Sequence, residues 1–170
     1  MLPAKLIFSY SGLSFRVVHG GTNQINRWVF ASEKGAVSEE CRFSGADITI
    51  AGHCGLPFVA RTGARTWFNP GVIGMPANDG TTDVWYGLVE PDDSGVRLTT
   101  HRLAYDHLSA AGAMRRFGYA NGYARALVTG FWPSLDILPE AERQATGKRL
   151  RARVARVSSL PNRVMAHGAA

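Results

Sequence analysis

Two histidines stand at the ends of short apolar runs, each flanked by glycine: Val17-Val18-His19-Gly20-Gly21 and Ile50-Ala51-Gly52-His53-Cys54-Gly55. A side chain at a strand end is rigidly aimed, and a glycine turn beside it lets a ligand approach the backbone. Neutral imidazole is the commonest nitrogen ligand of divalent metals, so His19 and His53 at the mouths of neighbouring strands can share one ion. Either histidine alone would read as structural; the pair carries the reading. Cys54 points to the other side of an extended chain from His53, and its type suits a small buried hydrophobe better than a ligand. A structural zinc site built from His19, His53 and Cys54 would lack a fourth ligand and any CxxC spacing, which ranks it last.

A third segment, Phe68-Asn69-Pro70-Gly71-Val72-Ile73-Gly74-Met75-Pro76, is dense in residues with special backbone preferences. Asn-Pro and Pro-Gly fix a turn, and the amides of Gly71 and Gly74 can bind an anion or brace the histidine loop, bracing being the simpler role. Arg61 and Arg65 lie near His53 in sequence as candidate phosphate contacts, although solvated strand positions account for them better. His101, His107 and His167 fall in a strand, at a helix start and in the C-terminal tail, and no chemistry is assigned to them.

Positioning these residues requires strands. The first half reads as brief apolar runs bounded by Gly, Ser, Asn and Pro. Residues 5–10 and 14–18 form two strands turned at Ser11-Gly12, residues 47–51 form a compact strand, and 57–62 with 65–68 form a hairpin. Ile25, Trp28 and Val29, spaced by three and four, predict a short helix over 24–32, and another helical turn or two spans 37–43. Longer strands over 83–90 and 96–104 flank the turn Pro91-Asp92-Asp93-Ser94-Gly95. Residues 107–117, 119–129 and 140 to about 149 read as helices.

The 170 residues fit one ordinary domain, and 45% hydrophobic content suffices for a core, which excludes disorder and collagen-like repeats. Nineteen basic against thirteen acidic residues give a net charge of +6. Up to Pro139 there are 12 basic and 11 acidic residues; from Glu140 onward there are 7 and 2, so +5 of the +6 sits in the last thirty-one residues. The body is nearly neutral, which argues against nucleic acid as its partner. No stretch approaches the roughly 18 to 20 apolar residues of a membrane helix. The N-terminus does not read as a signal peptide, and two cysteines are compatible with a reducing compartment, so a cytoplasmic protein is expected.

In order and spacing, Val18-His19-Gly20, Gly52-His53-Cys54-Gly55 and Asn69-Pro70-Gly71 with Gly74-Met75-Pro76 resemble the C-terminal half of the calcineurin-like metallophosphoesterases, especially the bacterial phosphodiesterase and serine/threonine protein-phosphatase-like branch. The resemblance covers residues 13–89 at motif level and, more loosely, runs to about 147. It implies an α+β fold, a layered αββα sandwich. Residues 1–150 would be the C-terminal part of that domain and 151–170 a basic, mobile tail. It also implies hydrolysis of a phosphomonoester or phosphodiester by a hydroxide held between two divalent ions (manganese, iron, zinc or magnesium), about 3.5 to 4 Å apart. Carried over by position, His19 and His53 would be ligands of the same ion. Where the family's turn has a further histidine, this chain has Gly55, which offers no ligand atom.

The family's Asp-x-His, Gly-Asp and Gly-Asn-His-Asp/Glu segments do not occur before His19. The resemblance therefore implies an incomplete domain, an isolated chain without the full catalytic apparatus, and an apolar sheet edge that self-association or a partner would cover. The alternative is a non-catalytic binding or scaffold remnant of the fold, contacting anionic polymers through the basic tail.

Overall fold

β1 (Lys5–Tyr10) and β2 (Leu13–Val18) pair antiparallel through a turn at Ser11 and Gly12, both in the left-handed region at φ 49° and 73°. These two strands open the computed structural model of the protein, which describes residues 3–119 and 121–159. From β2 the chain crosses over through α1 (Lys34–Ser44) to β3 (Ile48–Ile50), which lies parallel to β2. β4 (Phe58–Thr62) and β5 (Arg65–Asn69) form a hairpin whose second strand lies parallel to β3. The first sheet is therefore mixed, in the order β1-β2-β3-β5-β4.

β6 (Val84–Asp92), β7 (Gly95–Leu103) and β8 (Val154–Ser158) make a second, antiparallel sheet in sequence order. Helices α2 (His107–Arg116), α3 (Gly122–Thr129) and α4 (Glu140–Gln144) lie in the connection between β7 and β8. Asp106 caps α2 by accepting from the Ser109 amide, and Asn121 caps α3 by accepting from the amides of Tyr123 and Ala124.

Strand alternation divides the core in two. Leu13, Phe15, Ile48 and Phe68 of the first sheet meet Val96, Leu98 and Val157 of the second. On the opposite face Val18, Phe58 and Trp67 pack with Val37 and Cys41 of α1 and with Val29, Phe30, Trp132 and Leu138. Trp67 and Phe68, neighbours in β5, point to opposite faces and are both fully buried, the pattern of a strand covered on both sides. This is the expected α+β layering of helix and loop, sheet, and sheet. β1 behaves differently: all six of its residues are exposed, Leu6, Ile7, Phe8 and Tyr10 among them. No helix among the described residues is long and apolar enough to cross a membrane.

Three local expectations differ from the structure. Residues 24–32 are not helical. Val29 and Phe30 are adjacent yet both buried, and Trp28 stacks in parallel with Phe30, two residues on, which is extended rather than helical spacing. Contacts with α1 override the helical pattern there: Arg27 reaches Glu39 and Glu40 at 2.8 Å. Within the span read as a tail, Val154–Ser158 is β8, paired along β7 from Thr99 to Gly95. The rest of that span from residue 160 on, with His167, lies outside the described residues. Helix α4 is also shorter than expected, ending at Gln144.

Candidate functional site

His19 lies one residue beyond β2 and His53 three beyond β3. Because these strands are parallel neighbours, their C-terminal ends open side by side. The His19 carbonyl accepts hydrogen bonds from the amides of Gly52 at 3.0 Å and His53 at 2.9 Å, clamping the two strand ends together. The sequence-predicted pair is thereby brought into contact: His19 Nε2 and His53 Nδ1 are 2.8 Å apart. His19 is exposed and His53 half-buried. Burial first, and then the neighbouring His19, hold the His53 imidazole below its ordinary pKa of 6.5, which favours the neutral, ligand-competent form.

Local sequence explains this approach. A Cβ on Gly20 would lie 2.6 Å from the Ile25 carbonyl oxygen and 2.7 Å from that of Arg27, so only glycine permits the loop to fold back over the strand end. The loop is anchored by Glu40 of α1, whose carboxylate accepts from the Thr22 amide and hydroxyl and from Arg27. Glu40 is 1% exposed and both its oxygens accept hydrogen bonds, so it acts as a fixed strut. Trp28 lies against His53 with ring centroids 4.2 Å apart, forming one wall of the site.

The Asn-Pro-Gly loop braces the other side. Asn69 donates to Cys54 Sγ at 3.0 Å and accepts from the Gly71 amide at 2.9 Å. Gly71 has φ 85°, and a Cβ there would sit 2.5 Å from that of Trp85. Cys54 is buried and its thiol is pushed up to about 12, chiefly by burial, so it supplies no thiolate. Among the described residues no group of three or more His, Cys, Asp or Glu side chains could hold a metal, which removes support for the three-ligand zinc reading. Gly55 closes the turn at φ 69°, with Trp132 and Val72 the nearest atoms to any Cβ placed there. A side chain at this position would therefore be strained and would meet that apolar wall.

Arg61 and Arg65 lie at the turn end of the β4–β5 hairpin, whereas Phe58 and Asn69 form its site end. Arg61 donates to the Arg156 carbonyl across the sandwich and plays no part at the imidazole pair. His101 stacks on Tyr86 and His107 lies beside Tyr105, both apart from the site. Trp28, Glu40 and Trp132 are the site neighbours that sequence reasoning missed. Only the spacing of Trp28 and Phe30 by two carried a signal, and the helical reading of 24–32 masked it.

The imidazole pair fits two positions of a metal coordination sphere. Nitrogens each about 2.1 Å from one ion lie about 3.0 Å apart for bonds at right angles and about 3.4 Å apart for a tetrahedral angle. The observed 2.8 Å lies near the lower value, and it equally suits one imidazole donating N–H to the other. Two imidazoles are half of a usual ligand set; the described residues do not fit the carboxylate-bridged pair of ions that the motif resemblance implies.

No protein-family model matches the sequence, and no curated protein sequence matches it. Solved structures do share its fold. A metallophosphoesterase from Sphaerobacter thermophilus superposes with a TM-score of 0.64 at 22% identity, over 76% of this chain and 58% of that one. A hypothetical protein from Pyrococcus horikoshii gives a TM-score of 0.65 at 15% identity, over 76% of this chain and 51% of its own. The chain thus spans between half and three-fifths of the length of these two structures. The mixed five-stranded sheet, the antiparallel sheet packed against it and the histidines at the strand mouths are set in the fold of the metallophosphoesterases.

Proposed function

We propose that His19 and His53 jointly hold one divalent metal ion, and that this ion serves phosphoester hydrolysis of the kind found in the bacterial phosphodiesterase and protein-phosphatase-like branch of the calcineurin-like enzymes. One observation carries the reading: two ring nitrogens from parallel strand ends converge to 2.8 Å, held there by a shared carbonyl clamp. A bound divalent ion supplies Lewis acidity to a phosphoryl oxygen and lowers the pKa of bound water. The chain's own residues fix where it binds. The His19 carbonyl sets the spacing, Glu40 and Gly20 fold the loop, Trp28 shields one side of His53, and Asn69 braces the turn. In this reading the substrate is a phosphorylated molecule.

Metal titration of the full chain tests the reading. Manganese or zinc is expected to bind at one equivalent, with binding lost in both His19→Ala and His53→Ala. Hydrolysis of an aryl phosphate and of a bis-aryl phosphate is then measured with and without manganese. A metal-dependent rate that disappears in His53→Ala supports catalysis by this chain. Binding that is indifferent to both histidines overturns the proposal.

A second reading, a non-catalytic scaffold on the same fold, is favoured by the lack of a third ligand-type side chain beside the pair among the described residues. Stoichiometric metal with no turnover of either phosphate would select it. Self-association through the exposed β1, or a partner covering that edge, belongs to either reading.

A further inference from the structure

A second concavity lies apart from the imidazole pair. It has a volume of about 190 Å³ and opens between the start of β4, the loop around Ala77–Asp79 and the α4 segment with the chain that follows it. Leu56, Phe58, Ala77, Ala145 and Leu150 give it apolar walls, and Lys148 and Arg153 also line it.

The walls are tied to each other. Asn78 donates to the Thr146 hydroxyl at 3.1 Å, and its carbonyl accepts from the Gly147 amide at 3.0 Å. The Leu150 amide donates to Asp79 at 3.0 Å, and Glu142 accepts from the Ser32 amide at 2.9 Å and from its hydroxyl. These bonds join segments 71 and 110 residues apart in sequence, so the concavity is built into the fold.

The charges around it are unequally used. Asp79 is ion-paired with Arg102 and accepts from the Thr81 amide and hydroxyl and the Leu150 amide, while Glu142, among the described residues, accepts only from the neutral Ser32 and keeps its negative charge. In contrast, among the described residues no hydrogen bond or ion pair engages the ammonium of Lys148 or the guanidinium of Arg153, and both residues are exposed. What faces a ligand is an apolar chamber whose two free cations, Lys148 and Arg153, outnumber the one lining carboxylate without a cation, Glu142.

We infer that this cavity is a binding site for a small apolar anion, a single ring or short acyl chain ending in a carboxylate. Size sets the class. A dry cavity of about 150 Å³ accommodates benzene, so about 190 Å³ takes one ring with its acid group turned toward Lys148 and Arg153. The site uses neither histidine and does not depend on the proposed metal.

Calorimetric titration of the full chain with benzoate, benzyl alcohol and benzylamine tests this. Benzoate is expected to bind saturably and more tightly than benzyl alcohol, with benzylamine weakest. Lys148→Gln with Arg153→Gln should weaken benzoate about tenfold, the scale of two exposed ion pairs, and leave benzyl alcohol unchanged. Ala145→Phe, which fills the chamber from an exposed position, should abolish all binding, whereas His53→Ala should leave it intact. Benzylamine binding as well as benzoate, or no saturable benzoate binding, overturns the assignment. Those two outcomes are read on the unaltered protein, so they hold whether or not a variant folds.

Discussion

Two pairs of ionisable groups, each assembled from distant parts of the chain, show opposite designs. Asp79 and Arg102 form an ion pair in which the carboxylate side chain is 1% exposed and the guanidinium side chain 20%. Arg102 further reaches Asp83, the Thr81 hydroxyl and the Leu150 carbonyl, and its guanidinium lies over the Trp85 ring. His19 and His53 have the same intimacy but far fewer commitments. Their facing nitrogens meet, while no protein hydrogen bond engages His19 Nδ1 or His53 Nε2 among the described residues. A buried charge with every lone pair taken holds structure together, whereas polar atoms left open at strand ends are available to an exogenous ligand. The contrast therefore predicts stability effects at one pair and ligand effects at the other.

The largest stability effect is expected at Arg102. Replacing it with Met leaves the Asp79 carboxylate buried without its cation, a loss of about 3–5 kcal/mol, visible as a lowered urea midpoint. A loss under 1 kcal/mol would break the comparison, because the saturated pair would then be no more structural than the open one. Next is Glu40→Gln. The amide can neither satisfy Arg27 as an ion nor accept as strongly from Thr22, so a loss of about 2 kcal/mol is expected. Since Glu40 anchors the loop after His19, metal affinity should fall as well, a coupling that Arg102→Met should not show.

Acid sharpens the same contrast. Burial works to raise the Asp79 pKa, but the hydrogen bonds from Thr81, Leu150 and Arg102 outweigh it and hold the carboxyl below its ordinary 3.8. Its folded-state pKa being depressed, its contribution to stability is complete above the unfolded value of about 3.9 and is lost as pH falls through the lower folded value. In Asp79→Asn that part of the acid limb of a stability-against-pH curve should vanish. His53 is likewise depressed, from 6.5, so its proton should compete with metal at a lower pH than that of an ordinary imidazole.

Much of this arrangement was legible in the sequence, for identifiable reasons. Brief apolar runs bounded by Gly, Ser, Asn and Pro located seven of the eight strands among the described residues, because those signals are local. The convergence of His19 and His53 could be anticipated from two strand ends bearing the same residue type. What could not be read depends on tertiary partners. Residues 24–32 carry a helical spacing that Glu39 and Glu40 of a neighbouring helix override through Arg27. β8 lies in an Arg-rich stretch whose single buried residue, Val157, gives no pattern by itself. Arg61 and Arg65 are near His53 in number, yet hairpin geometry carries them to the opposite end of the strands.

The smallest stability effect should come from the residue with the largest functional one. His53 is half-buried, its ring touches Trp28 and His19, and its hydrogen bond is to another open side chain. Truncation to alanine removes little buried surface and leaves no buried polar group unpaired, so the change in unfolding free energy should stay within about 1 kcal/mol. The His53 amide still donates to the His19 carbonyl, since that bond belongs to the backbone, and the strand clamp survives. Metal titration of the same variant should nevertheless show no stoichiometric binding, because one imidazole cannot define a site in water. A His53→Ala protein that unfolds like the Arg102 variant would make the imidazole pair a structural element. One that keeps its stability and loses its metal places the open pair among binding groups.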